Sequence, residues 1–378
     1  MYDILTLNKI AKCGTDCFDP AKYTCSDSAA DPAAVMVRSA AMHDMELGGS
    51  LLAIARAGAG VNNIPIDRCS ERGIAVFNTP GANANAVKEL VICAALLASR
   101  KIPDAIDWCR TLKGEGENVP KLIEKGKSSF AGPEIKGKTM GVIGLGAIGR
   151  LVANAANALG MRVICYDRSM RTEKAVDPGV ETIGNMDAVF AAADYLTLHI
   201  PCNDSTKGII DAEAMAKMKD GVRILNFARG ELMNSDDLLA ALASGKVAAY
   251  VTDFPNDAQL GKPGVIAIPH LGASTPESED NCAVMAAREL IGYIERGEVK
   301  NSVNLPNLEP PAEFDTRVCV IYRDSDGVRD AITASLGNIV SLNSAAKKGV
   351  GYLVCDVSAE PDAEKIKAID GVIRVRVI

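Results

Sequence analysis

The sequence contains few histidines, few aromatic residues and no long apolar run. Its 378 residues include three histidines and one tryptophan, and aromatic residues make up 4% of the chain. No apolar stretch approaches the length that a bilayer-spanning helix needs, and residues 1–7 lack the basic start and apolar run of a secretory signal. We therefore expect a cytoplasmic protein, in which any histidine acid or base is His43, His199 or His270.

The chain also lacks an excess of basic residues. It has 41 Lys and Arg against 48 Asp and Glu, a net charge of -7 and a pI near 5.2. Because the basic residues are dispersed, we expect neither nucleic acid nor an anionic membrane as a partner. Hydrophobic residues form 48% of the chain, which at this length suffices for two or three domains with sizeable cores.

The cysteine pattern argues against disulfides and metal. The eleven cysteines are odd in number and irregularly spaced. Cys13 and Cys17 are the closest pair, and no second pair completes a zinc site. We predict reduced, mostly buried thiols and no bound metal.

A glycine turn at residues 138–150 is the most informative motif. Gly144, Gly146 and Gly149 fit the pattern G-x-G-x-x-G between an apolar strand and a helix. In a dinucleotide-binding fold, these glycines permit a tight turn, close approach of the backbone to a pyrophosphate, and packing of the helix on the sheet. The positive N-terminal end of the helix would hold the phosphates.

A carboxylate follows at the end of the next apolar run, residues 161–166. Asp167 is placed to bind both ribose hydroxyls of an adenosine, which selects NAD and repels the 2′-phosphate of NADP. Arg168 and Arg171 come next, and we interpret them as solvated loop charges. The sequence therefore predicts NAD as the cofactor.

Two arginines lie at predicted strand ends in the first hundred residues. Arg38 follows the apolar run 34–37, and Arg56 ends a similar run that begins at residue 51. Open α/β sheets bind ligands at the carboxyl ends of their strands, so the pair suggests an anionic substrate. The alternative for each arginine is a surface charge.

Strands and helices continue to alternate after residue 167, as in a doubly wound sheet of about six strands. Arg229 and His270 each stand at the carboxyl end of a predicted strand. The guanidinium suits bidentate binding of a carboxylate, and histidine titrates near working pH. We predict a substrate-binding arginine and a histidine acid/base.

These motifs resemble those of the D-isomer-specific 2-hydroxyacid dehydrogenases. The resemblance covers about residues 30–305 and depends on the glycine turn with Asp167 and on segments 198–201, 226–230 and 269–275. It implies hydride transfer from C2 of a 2-hydroxy acid to NAD, with a histidine base. Some members of the family oxidise D-3-phosphoglycerate to 3-phosphohydroxypyruvate, the first step of phosphorylated serine biosynthesis. The segments that are similar to those of these members are 37–40, 56–64 and 78–83.

The resemblance also implies roles for individual residues. Arg229 and His270 would be catalytic and contact the substrate, and the further substrate contacts would be Arg38, Arg56, Gly58 and Asn83. The implied cofactor contacts are Gly144, Gly146, Ala147, Ile148, Gly149, Asp167, His199, Pro201, Thr206, Ala228, Asp253 and Gly272.

The glutamate that pairs with the catalytic histidine in this family is missing. Alignment on Phe254 puts Asp257 at the glutamate position, whereas an ungapped alignment puts Asp253 at the cofactor-contacting aspartate and Ala258 at the acid position. We predict Asp257 as the partner of His270, with a side chain one methylene shorter than glutamate.

We predict an α/β fold with two Rossmann-like, doubly wound parallel-sheet domains and a small C-terminal α+β domain. The family implies a discontinuous, flavodoxin-like substrate domain at 1–97 and 276–308, with the NAD-binding domain at 98–275. Residues 313–378 follow the order βαββαβ and resemble an ACT domain, an amino-acid-sensing module. Residues 323–327 replace its usual effector loop, so serine feedback and plain dimerisation both stay open, and we expect a homodimer or homotetramer.

Two other functions stay open at this level. One is a different member of the family, acting on glycerate or hydroxypyruvate or on 4-phosphoerythronate. The other is a non-catalytic NAD-sensing scaffold, which the missing glutamate permits.

Overall fold

The computed structural model describes residues 1–169 and 176–378, so the predicted loop charge Arg171 lies outside the described residues. The chain forms two compact units, Met1–Asn83 with Pro276–Ile378, and Ala84–Thr275. The first unit is thus discontinuous in sequence. The predicted three-domain division, with its boundary at residues 97 and 98, stays a prediction.

A parallel sheet forms the first part of the discontinuous unit. Its elements are β1 (Tyr2–Leu7), α1 (Lys12–Thr15), β2 (Tyr23–Ser26), β3 (Ala34–Val37), β4 (Ala53–Arg56), α2 (Ile66–Glu71) and β5 (Ala75–Asn78). The strand order is β2-β1-β3-β4-β5, and every residue of β3 is buried. Continuous apolar runs are what a strand covered on both faces requires.

The second unit is built on a seven-stranded parallel sheet. Its elements are α3 (Ala84–Arg100), α4 (Ile102–Thr111), α5 (Val119–Gly126), β6 (Thr139–Ile143), α6 (Ala147–Ala158), β7 (Arg162–Tyr166), β8 (Val180–Thr182), α7 (Met186–Ala192), β9 (Tyr195–Leu198), α8 (Ala212–Ala216), β10 (Val222–Asn226), α9 (Ser235–Ser244), β11 (Val247–Thr252) and β12 (Val265–Ala267). The order β12-β11-β10-β9-β6-β7-β8 reverses direction between β6 and β9. Ligands of such sheets bind outside the carboxyl ends of the strands at this reversal.

The segment 98–137 contains the helices α4 and α5. Neither helix has a buried residue. The Trp108 and Phe130 rings lie 5.3 Å apart, and a side chain at Gly126 would overlap Trp108. Both helices carry apolar residues at helical spacing but leave them exposed, as Ile106 and Ile123 show.

Helix α10 (Pro276–Arg296) returns the chain to the first unit. Its apolar face packs in one core with the sheet, and the ring centroids of Phe77 and Tyr293 lie 5.6 Å apart.

Residues after α10 form an antiparallel sheet with two helices. The elements are β13 (Thr316–Arg323), α11 (Val328–Ser335), β14 (Ile339–Lys347), β15 (Val350–Val357), α12 (Ala363–Lys367) and β16 (Val372–Val377), with strand order β14-β15-β13-β16. The predicted βαββαβ order is present. Buried Arg317 anchors the sheet, since its Nε lies 2.6 Å from Asp356 Oδ1 and its Nη1 donates to the Arg296 carbonyl.

The eleven cysteines are all free, as predicted. Fewer of the thiols are buried than expected. Five thiols are buried, four are half-buried and two are exposed, the last being Cys93 and Cys109.

Candidate active site

The glycine turn joins β6 to α6 at the reversal point of the sheet. Gly144 has φ 96, and a Cβ there would lie 2.5 Å from the His199 carbonyl oxygen. A Cβ at Gly149 would overlap the Gly144 carbonyl. Gly146, at the N-cap of α6, faces open space instead. Two glycines therefore permit the turn, and the third leaves room for a pyrophosphate beside the backbone of Ala147 and Ile148.

Asp167 lies at the carboxyl end of β7, beside this turn. Its Oδ2 accepts a 2.8 Å hydrogen bond from the Leu145 N–H, and its Oδ1 accepts from the backbone and hydroxyl of Ser169 at 2.8 and 2.7 Å. Partial burial would raise the pKa of Asp167, but these hydrogen bonds outweigh it and lower the pKa. The side chain is thus an ionised acceptor, as binding of ribose hydroxyls requires.

His199 follows β9 across the same turn. Its Nε2 lies 3.0 Å from Thr197 Oγ1, and its Nδ1 is buried without a hydrogen-bond partner among the described residues. Burial lowers the pKa of His199 to about 3, so the ring is neutral at physiological pH. This excludes His199 as a proton acceptor that must later carry charge, and fits a role lining the nucleotide site. In the next loop, Thr206 Oγ1 donates to the Pro201 carbonyl at 2.7 Å.

The ends of three neighbouring strands bring Arg229, Asp253 and His270 together. These residues follow β10, β11 and β12, which are adjacent in the sheet. The buried Asn226 shapes the Arg229 turn, because its amide donates to the Arg229 carbonyl at 2.9 Å and its Oδ1 accepts from the Ala228 N–H.

Phe254 contacts the two exposed side chains of this cluster, Arg229 and His270. Its ring centroid is 4.4 Å from that of His270, with an interplanar angle of 47°. The Arg229 guanidinium carbon lies 5.5 Å from the same centroid. In the sequence analysis Phe254 served only to align its segment. Its position directly after a strand-end carboxylate was the one indication that it belongs to the site.

Asp253 provides the buried charge of the cluster. It is 3% exposed, and its Oδ2 accepts a 3.2 Å hydrogen bond from the Gly272 N–H. Burial raises the pKa of Asp253, opposed chiefly by the positive charge of His270 and also by Arg229. Asp253 therefore interacts electrostatically with both His270 and Arg229.

Asp257, the predicted partner of His270, follows β11 in the same loop as Asp253. Its side chain is exposed and forms no hydrogen bond or ion pair with another residue in the described part of the chain. Asp253, to which the sequence alignment gave only a cofactor contact, interacts electrostatically with His270. The turn after β11 thus buries the first aspartate and exposes the second.

The predicted substrate residues of the first unit include two adjacent arginines. Arg56 Nε donates a 3.0 Å hydrogen bond to the Arg38 carbonyl, and Arg38 Nη2 lies 2.8 Å from Glu279 Oε1. Gly58 has φ 146, and a side chain there would overlap the Arg56 guanidinium. Asn83 is half-buried at the end of this part of the unit.

Within residues 1–169 and 176–378, no group of three or more His, Cys, Asp or Glu side chains is arranged to hold a metal ion. Nor does any helix in that part of the chain combine the length and apolar character needed to cross a membrane.

Comparison with known proteins gives a consistent result. The model of the D-isomer specific 2-hydroxyacid dehydrogenase, NAD binding domain, matches residues 92–272. D-3-phosphoglycerate dehydrogenase from Archaeoglobus fulgidus is 37% identical over 290 residues, covering 73% of this chain and 52% of that protein. The chain thus spans about half the length of the curated relatives it matches.

Solved structures share the fold over most of the chain. The NAD+-bound 3-phosphoglycerate dehydrogenase of Entamoeba histolytica is 27% identical with a TM-score of 0.64, covering 81% of this chain and 99% of that one. A glyoxylate reductase from Paecilomyes thermophila is 28% identical with a TM-score of 0.66, covering 80% and 98%.

The doubly wound sheet, the glycine turn and Asp167 define a dinucleotide-binding protein of the Rossmann class. The chain belongs to the D-isomer specific 2-hydroxyacid dehydrogenase family, and residues 92–272 are its NAD-binding domain.

Proposed function

We propose that the chain catalyses NAD-dependent oxidation of D-3-phosphoglycerate to 3-phosphohydroxypyruvate, the first step of phosphorylated serine biosynthesis. The observation that carries this proposal is the convergence of Arg229, Asp253 and His270 at adjacent strand ends of an NAD-binding sheet. The name of the Archaeoglobus relative supports the choice of substrate.

The chemistry needs a base, a cation and an oriented substrate. When bound, NAD accepts the hydride that leaves C2 of the substrate. His270 takes the proton of the C2 hydroxyl. Arg229 binds the carboxylate and the developing carbonyl oxygen through its planar guanidinium.

We assign the acidic partner of His270 to Asp253 rather than Asp257. A histidine that accepts a proton becomes an imidazolium, and a nearby buried carboxylate stabilises that charge. Asp253 is buried and interacts with His270, whereas Asp257 is exposed. Asp253 is also held in place through the Gly272 N–H.

The phosphate of the substrate is assigned to Arg38 and Arg56. Phosphate favours clustered guanidinium groups, and these two are joined by the hydrogen bond from Arg56 to the Arg38 backbone. Gly58 supports the assignment, because the space it leaves is filled by the Arg56 side chain.

The direct test is NAD reduction with a panel of 2-hydroxy acids. We expect D-3-phosphoglycerate to give the highest kcat/KM, above D-glycerate and 4-phosphoerythronate, and NAD to be preferred to NADP. An enzyme that favours glyoxylate or hydroxypyruvate in the reverse direction would instead match the glyoxylate reductase neighbour. Binding of NAD without turnover of any of these acids would leave only the scaffold function.

We also infer that the C-terminal sheet is an ACT-like module in a homo-oligomer. Its βαββαβ order and antiparallel pairing support this assignment. A shallow cavity of about 270 Å³ lies beside residues 324–327 of the loop that precedes α11. Inhibition of 3-phosphoglycerate oxidation by millimolar L-serine tests the sensing role, and unchanged activity would leave dimerisation as its function.

A further inference from the structure

One aromatic ring contacts both Arg229 and His270. Phe254 lies 4.4 Å from the His270 ring and 5.5 Å from the Arg229 guanidinium carbon, measured to its centroid. The side chains of Arg229 and His270 are exposed, whereas the Phe254 side chain is half-buried. One ring therefore contacts both side chains to which the proposed reaction assigns proton transfer and carboxylate binding.

The backbone around Phe254 fixes where this ring stands. Its N–H donates a 3.0 Å hydrogen bond to Thr252 Oγ1, and Thr252 is fully buried. A Cβ at Gly230 would lie 2.9 Å from the Phe254 carbonyl oxygen. The Arg229 turn and the Phe254 backbone thus approach closely because residue 230 has no side chain.

Among the described residues, no side-chain hydrogen bond joins Arg229 or His270 to a residue distant in sequence. Arg229 Nη1 donates at 2.6 Å to the carbonyl of Ala228, its own neighbour in the chain. Asp253 contributes electrostatic attraction, and the His270 ring donates no hydrogen bond to a carboxylate in that part of the chain. Phe254 is thus a contact that both side chains share.

We propose that Phe254 is a positioning residue, which holds the His270 ring and the Arg229 guanidinium at their working separation and stabilises the imidazolium on its π-face. Aromatic rings attract cations placed over them, and a tilted ring pair has a defined geometry. The buried Asp253 balances the two positive charges that coexist once His270 is protonated. This inference rests on the proposed function.

The contact can be tested without turnover by NMR of the three histidine rings. His270 resonances are assigned with His270→Ala, and the remaining signals belong to His43 and His199. We expect Phe254→Leu to move the His270 ring signals toward those of a histidine without an aromatic neighbour, because the ring current is lost, while the other two histidines keep their shifts. Phe254→Tyr should preserve the wild-type positions.

Kinetics then test whether the contact matters for the reaction. We expect kcat/KM for D-3-phosphoglycerate to fall about three- to tenfold in Phe254→Leu, with the KM for NAD changed by less than about twofold and with recovery in Phe254→Tyr. Phe130→Leu is the matched control, since it removes a half-buried aromatic partner of Trp108 and should leave both readouts unchanged. Melting temperatures of all variants identify any loss of folding.

The outcomes separate this inference from the proposed function. Unchanged His270 signals in Phe254→Leu would overturn the positioning role whatever the activity. Shifted signals with wild-type kinetics in an active enzyme would overturn it as well. A wild-type protein that oxidises no 2-hydroxy acid would refute the proposed function, while the NMR comparison still decides the contact.

Discussion

The side-chain amide of Asn301 donates a 2.8 Å hydrogen bond to Oε1 of Glu289, whose other carboxyl oxygen is buried without a hydrogen-bond partner among the described residues. Glu289 is 8% exposed on α10. Burial raises its pKa to about 8, opposed by the Asn301 hydrogen bond and the Lys300 charge. The carboxyl group is therefore mostly neutral at pH 7 in the folded protein.

The raised pKa of Glu289 predicts that the stability of the protein falls as the pH rises. Between the ordinary value of 4.5 and the folded value of about 8, the folded protein keeps a proton that the unfolded chain has lost. The contribution of Glu289 to the free energy of unfolding is therefore full below about pH 4.5 and is lost as the pH rises to about 8.

The test is urea unfolding of wild type and Glu289→Gln at several pH values. The variant keeps an oxygen acceptor for Asn301 but no longer titrates, so we expect it to exceed wild type by about 2–4 kcal/mol near pH 9 and to show little gain near pH 5. Glu298→Gln, on a partly exposed acid paired with Arg296, is the control. Parallel stability curves for wild type and Glu289→Gln would show that Glu289 ionises freely in the folded state.

If Asp253 is the acidic partner of His270, substitutions of Asp253 and Asp257 should affect activity unequally. We expect Asp253→Asn to lower kcat/KM for 3-phosphoglycerate by about tenfold to a hundredfold, because the imidazolium of His270 loses its buried counter-charge. Asp257→Asn should stay within about twofold of wild type, since its side chain is exposed. Steady-state kinetics on both variants measure this, and the reverse pattern would return the role to Asp257.

The difference between these aspartates shows where the sequence stops being informative. The glycine turn and Asp167 could be predicted, because a short local motif determines their geometry. Arg229 and His270 could be placed near each other because parallel strands end at one sheet edge. Asp253 could not be chosen over Asp257, since burial in the turn after β11 depends on packing against the rest of the sheet.

Other features depended on contacts that the local sequence pattern does not indicate. The helices α4 and α5 have no buried residues, so the spacing of their apolar residues does not reveal a core that they help to form. The pairing of Glu289 with Asn301 joins a helix to the loop that follows it, and neither residue type alone predicts a buried acid. The contact of Phe254 with both Arg229 and His270 likewise became visible only with three strand ends in place.

Substitution of two glycines of the turn should impair two different properties, NAD binding and stability. Gly146→Ala adds a methyl group in the open space assigned to the pyrophosphate, so we expect an unchanged melting temperature and NAD affinity reduced by about tenfold or more. Gly149→Ala adds it against the Gly144 carbonyl, so we expect a melting temperature lower by several degrees, about 4 °C or more, even without cofactor. Calorimetric melting and NAD titration distinguish the two variants. Equal losses of stability in both would contradict the open position of Gly146.

The ion pair of Arg38 with Glu279 bears on the substrate assignment. A guanidinium already 2.8 Å from a carboxylate on α10 is oriented before any ligand binds, although both side chains are partly exposed and screened by water. If Arg38 binds the substrate phosphate, Arg38→Ala should raise the KM for 3-phosphoglycerate by about tenfold to a hundredfold and change that for D-glycerate by less than about threefold. Arg72→Ala, on an exposed arginine of the same unit, controls for net charge. Equal losses for both substrates would mean that Arg38 supports the fold of the first unit or binds a group that the two acids share, and the phosphate would then have to be assigned to another cation.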